Sequence, residues 1–137
     1  MANLEVDVVA PAGPVWQGEA VMVIARTTEG DIGILPGHEP VIAALAAYGA
    51  QVVTTDGHRE VIAVGGGFIS VMANHVALLS DSAVMAKDYS LDEARRELAQ
   101  LKDRTEARDL SDDEAMHLHL LEAQVAAGEK YAAMTAR

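Results

Sequence analysis

The sequence predicts an α+β chain, mainly β: a domain of short antiparallel strands, a sandwich or a barrel, followed by a two-helix hairpin. Three observations predict it. Ten of the 11 glycines and all four prolines lie within residues 1–86, and dense charge follows. Apolar residues alternate with polar ones, or run in short blocks between turn residues, throughout that first part. Two Ser-x-x-Glu boxes, Ser90–Glu93 and Ser111–Glu114, then mark two helix starts 21 residues apart. The expected boundaries are 1–86 for the β domain and 87–137 for the hairpin.

The strands follow in order. Leu4, Val6 and Val8 alternate with Glu5 and Asp7, as in a half-buried strand. Ala20–Arg26 is a nearly unbroken apolar run, expected at a sandwich core or covered on both faces. Ile32–Leu35 is another, stopped by Pro36-Gly37. Val41–Ala47 is Ala-rich but short and follows a proline, so it reads as a strand. Val52–Thr54 and Glu60–Val64 flank Asp56-Gly57, residues that tolerate turn conformations. Phe68–Met72 and Val76–Ser80 flank Ala73-Asn74-His75 in a second hairpin.

The helices carry apolar stripes. Leu91, Ala94, Leu98, Leu101 and Thr105 share one face of the first. Ala115, Leu118, Leu121, Val125 and Ala132 share one face of the second. A short connection near Asp109–Ser111 makes them antiparallel neighbours. Gly128 is expected to weaken or end the second helix.

Charge removes several function classes. Ten Lys+Arg oppose 21 Asp+Glu in 137 residues, a formal charge of −11. Nucleic-acid binders and adhesion to anionic lipid both need clustered cations. No Cys is present, so disulfides, thiolate metal sites and a Cys nucleophile are excluded. The first residues lack a basic start and carry Glu5 and Asp7, unlike a signal peptide. No apolar run reaches the ~20 residues of a membrane-spanning helix. Residues 1–86 carry −7 and residues 109–137 carry −4, while residues 87–108 balance.

No constellation points to catalysis. Gly65-Gly66-Gly67 lacks the Lys of a phosphate loop and reads as a bulge or a close backbone approach. His117 and His119 stand two apart on a helix, so one metal ion cannot reach both, and no metal site is expected. His38, His58 and His75 fall in turns. No Ser/His/Asp set stands out, and no catalytic residue is assigned. Arg26 reads as a strand-end surface residue.

The run Thr27-Thr28-Glu29-Gly30-Asp31-Ile32-Gly33-Ile34-Leu35-Pro36-Gly37-His38-Glu39-Pro40 closely resembles a signature of the epsilon subunit family of F-type ATP synthase, named delta in mitochondria. Val8-Val9-Ala10-Pro11, Gly65 through Val71, Val76 through Ala83, and Leu91-Asp92-Glu93-Ala94-Arg95 agree in order and spacing. The resemblance covers almost the whole chain and implies an N-terminal antiparallel β-sandwich followed by the helical hairpin.

The resemblance implies a non-catalytic, central-stalk subunit. It couples rotation of the gamma subunit and the c ring during proton-driven ATP synthesis, peripheral to the cytoplasmic face of the cell membrane. The implied partners are gamma, the c ring and, through the hairpin, the alpha/beta catalytic head. Glu29, Gly30 and Asp31 match the segment that meets the c ring, and His38 matches a position near gamma. Glu39 departs from the small residue common there. In the family the hairpin has a folded pose and an extended, inhibitory pose. Leu91, Asp92 and Arg95 match its nucleotide motif, with Arg96 replacing an Ala. No cofactor is required, and ATP is implied as a regulatory ligand. A stand-alone ATP-sensing module is the alternative reading. In the hairpin, positive charge sits on the first helix, so inhibition through the second helix's salt bridges fits this chain poorly.

Overall fold

The computed structural model describes residues 3–105 and 110–135. The described strands are β1 Leu4–Ala10, β2 Gly13–Thr27, β3 Gly30–Ile34, β4 Val41–Leu45, β5 Tyr48–Thr54, β6 Arg59–Val64, β7 Gly67–Met72, β8 His75–Ser80 and β9 Ala83–Met85. A 3-10 turn, Ala86–Asp88, leads to helices α1 Leu91–Thr105 and α2 Asp112–Thr135.

The long β2 organises the sandwich. Its first half pairs with β1, from Gly13 to Ala20. Its second half pairs with β3 and β5. One layer then runs β1-β8-β7-β4, and the other continues through β5, β6 and β9. Leu4, Val6, Val8, Val23, Ile34, Val52, Ile62, Ile69, Val71 and Leu78 fill the core between them. Every pairing is antiparallel except β1 with β8, which is parallel. Parallel neighbours need a long connection, and everything from β2 to β7 supplies it here.

Local chemistry sets the turns. Ala73 and Asn74 both take positive φ, 50° and 66°, which suits a two-residue hairpin turn. His75 thus opens β8 instead of belonging to the turn. Asp56 organises the β5–β6 loop by accepting from Thr54 Oγ1 and from the His58 amide at 3.2 Å. The Thr54 bond, then the amide bond, hold its carboxyl below the usual range. Gly67 takes φ 118°, and a Cβ there would lie 2.0 Å from the Leu79 carbonyl oxygen. The glycine run is therefore a close strand approach, as its lack of a following Lys suggests.

The helices pack in series. α1 lies on α2, and α2 lies on β5 and β6. Glu93 N donates to Ser90 Oγ at 3.2 Å. Ser111 and Glu114 satisfy each other's amides at 3.1 and 3.2 Å, completing the second capping box. Asp109, part of the expected connection, lies outside the described residues, as does the side chain of Thr105.

Two expectations for the second helix are corrected. Ala132 is exposed, and the sheet-facing side is formed by Ala123 and Ala127. Gly128 does not end the helix; it is buried, and a Cβ there would meet Leu91 Cδ1 at 2.8 Å. The reason is that α2 contacts two partners, so apolar and small residues surround it instead of forming one stripe. β6 shows the same effect. Ile62 and Val64 enter the sandwich core, while Val61 and Ala63 enter a second core beneath α2.

Candidate docking surfaces

The first surface is the outer face of β4, β7 and β8. Cross-strand partners point to the same side, and the register pairs Phe68 with Leu79, Ala44 with Phe68, and Ile42 with Ser70. Ile42, Phe68, Met72 and Leu79 thus share the solvent side, at 76%, 55%, 64% and 51% exposure. Scattered exposed apolar residues are ordinary, but a contiguous strip marks an interaction surface. The loop holding His38 is tied to one end of this strip. Gly37 N donates to Asn74 Oδ1 at 2.7 Å, beside Met72. His38 is half-buried, and its Nδ1 donates to the Glu39 carbonyl at 2.7 Å. Leu35, also exposed, accepts from the His38 amide at 3.1 Å. At the same end, His75, the cross-strand partner of Met72, places its Nε2 2.6 Å from Asp7 Oδ2.

The second surface is the β2–β3 turn. Thr27 Oγ1 donates to the Gly30 carbonyl at 2.7 Å and accepts from the Glu29 amide at 3.1 Å. Gly30 takes φ 125° and opens β3. The two acids differ. Glu29 is exposed. Asp31 accepts from Arg26 Nε at 2.8 Å. That bond, with a smaller contribution from the Lys130 charge, holds the Asp31 carboxyl below its ordinary value. Arg26 also lies over the Tyr48 ring, 3.6 Å from its centroid, and Lys130 Nζ lies 4.7 Å from the same centroid. Arg26 is therefore an internal connector between β3 and β5, beyond the strand-end role its position suggested.

The third region is the start of α1. Leu91 packs against Gly128 of α2. Arg95 Nη2 meets Glu129 Oε2 at 2.9 Å, and its Nη1 lies 3.8 Å from Asp92 Oδ1. Tyr89 anchors this end by donating its hydroxyl to the Gln124 carbonyl at 2.6 Å. Burial pushes its pKa up, so the phenol stays a donor through the neutral range. Further along, His117 Nε2 lies 4.0 Å from Glu97 Oε2. An open groove of about 840 Å³ lies between the β5–β6 loop and the end of α2, with His58, Arg59, Lys87 and Tyr131 among its lining. Leu91, Asp92 and Arg95 do not line it.

Sequence reasoning missed Tyr48, Lys130 and the apolar strip. The strip had a legible signal: Phe68-Ile69-Ser70-Val71-Met72 offers apolar residues on both faces of one strand. Tyr48 and Lys130 had none, because they stand 82 positions apart.

Residues 3–86 match the family model described as ATP synthase, Delta/Epsilon chain, beta-sandwich domain. The chain is 44% identical over 132 residues to the ATP synthase epsilon chain of Cutibacterium acnes, covering 90% of each. It is 46% identical over 108 residues to that of Rhodococcus jostii, covering 78% of this chain and 88% of the relative. Its fold matches a chain in the Euglena gracilis mitochondrial ATP synthase OSCP/F1/c-ring structure, with TM-score 0.73, 18% identity, and coverage of 97% and 82%. A chain of the Tetrahymena thermophila mitochondrial ATP synthase central stalk/c-ring gives TM-score 0.60 and 16% identity, covering 95% and 96%. The shared name of near full-length relatives favours the stalk reading over a stand-alone ATP sensor. On the family model and on these identities, the chain belongs to the delta/epsilon chain family of ATP synthase.

Proposed function

We propose that this chain is a non-catalytic central-stalk subunit that couples rotation of gamma and the c ring during proton-driven ATP synthesis. The observation that carries the reading is the exposed strip of Ile42, Phe68, Met72 and Leu79 beside the His38 loop. It is apolar, rigidly held by three paired strands, and suited to a permanent contact that transmits torque. In this reading the strip and His38 meet gamma, and Glu29, Gly30 and Asp31 meet the c ring. The hairpin reaches the alpha/beta head when it extends. Among the described residues no helix is long and apolar enough to cross a membrane. Attachment at the cytoplasmic face of the membrane is then peripheral and made through protein. The test is capture by a gamma subunit. Ile42→Asp with Phe68→Asp should weaken capture at least about tenfold, since central apolar anchors dominate interfaces. Unchanged capture would sink the gamma assignment.

No cofactor is required in this reading, and ATP is a regulatory ligand of the folded hairpin. Leu91, Asp92 and Arg95 would hold it. The exposed Asp92 offers an acceptor to the base or ribose, and Arg95 offers a fork to phosphate. Phosphate would have to displace Glu129 from Arg95. ATP titration of the isolated chain should shift amide resonances at residues 91–95, and Asp92→Ala or Arg95→Ala should abolish the shifts. A spectrum indifferent to ATP would remove the ligand.

A further inference from the structure

The β2–β3 turn and helix α2 meet at one aromatic ring. Arg26, on β2, bonds Asp31 at 2.8 Å and stacks on Tyr48 at 3.6 Å. Lys130, on α2, reaches the same ring at 4.7 Å. Tyr48 opens β5, and its neighbour Gly49 packs directly against α2. A Cβ on Gly49 would lie 2.8 Å from Ala127 Cα. Ala127 and Lys130 stand three apart, on one face of the helix. The seat of α2 thus has a small-residue contact and, one turn on, a cation resting on the ring that Arg26 also occupies. Two cations share one ring, and the nearby carboxylate of Asp31 offsets their repulsion.

We propose that Asp31, Arg26, Tyr48 and Lys130 form a relay that couples the β2–β3 turn to the docking of α2. A basic side chain of a partner captured by Asp31 loosens the helix, and a docked helix disfavours that capture. The sign follows from charge. A cation brought to Asp31 cancels the field that holds Lys130 against a ring already bearing Arg26. Conversely, a docked Lys130 adds positive charge where the incoming cation must sit. Binding linkage requires the two effects to be equal in size. The relay concerns this chain alone. It uses the family reading only to supply the partner, whose capture by the turn is tested separately by assembly of the complex.

The effect is modest, because Asp31 is exposed, Arg26 and Lys130 are only half-buried, and salt screens them. It is read on the full isolated chain by amide hydrogen exchange. Asp31→Asn mimics capture by removing the charge while keeping a hydrogen-bond acceptor. It should speed exchange in the C-terminal half of α2 about two- to fivefold, with exchange in β7 and β8 unchanged. Lys130→Met should do the same. The double substitution should be no faster than Lys130→Met alone, because the second change has nothing left to act through. Tyr48→Phe keeps the ring and should keep the protection, whereas Tyr48→Leu should lose it. Unaltered α2 exchange in Asp31→Asn, or additive effects in the double variant, would overturn the relay. Failure of the turn to bind a ring would not, since no partner enters the measurement.

Discussion

Gly67→Ala should destabilise the sandwich by more than about 3 kcal/mol. Two costs act together. The backbone φ of 118° is open to glycine and strained for any residue with a Cβ. The added Cβ would also lie 2.0 Å from the Leu79 carbonyl oxygen and 2.8 Å from Ser80 Cα, both backbone atoms of β8 that cannot rotate away. Relief requires prising β7 from β8 at the end where Gly67 pairs with Ser80. Ser80 Oγ donates to the Gly66 carbonyl at 2.6 Å, so that contact is lost too. Gly33→Ala is the control. Nothing lies within 4 Å of its Cβ position, and stability should change by under about 0.5 kcal/mol. Urea unfolding of the two variants decides the matter. A Gly67→Ala chain within about 1 kcal/mol of the parent would refute the account.

Ala127→Leu should release the hairpin while leaving the sandwich folded. Ala127 is fully buried and rides on the backbone of Gly49. Three added heavy atoms have nowhere to go, and overpacking of this kind costs about 1–3 kcal/mol. The second core has little in reserve, since its buried members are Val61, Ala63, Ala86, Ala123 and Ala127. The main core does not include Ala127 and should be untouched. Limited proteolysis should therefore cut α2 readily and spare the strands. In an assembled complex the released hairpin should lower ATP hydrolysis, whereas a chain ending at residue 86 should raise it. A hairpin as resistant to cleavage as the parent's would count against this packing argument. Equal hydrolysis in all three chains would count against an inhibitory tail.

Local features were legible in the sequence because their causes are local. Val6 and Val8 alternate with acids, so β1 buries one face wherever it lies. Ser111 and Glu114 cap a helix using atoms three residues apart. The Glu29–Pro40 run carries backbone-shaping residues at a spacing that few folds use, which made the family readable. The candidate site residues were legible only as positions. Asp31 matched a c-ring contact segment, and the structure pairs it with Arg26. Arg95 matched a nucleotide motif, and the structure pairs it with Glu129. Opposite charges seek the nearest partner in space, and that partner was five positions away in one case and 34 in the other.

By itself the sequence determined the strand and helix types, the capped helix starts, the hairpin turns and the family. Each rests on periodicity or on contacts within a few residues. Only the tertiary structure decided the parallel pairing of β1 with β8, the second core under α2, the apolar strip left uncovered, and the meeting of Arg26 and Lys130 at Tyr48. These depend on which faces remain exposed after the layers pack. A residue's own neighbours in the chain carry no record of that choice.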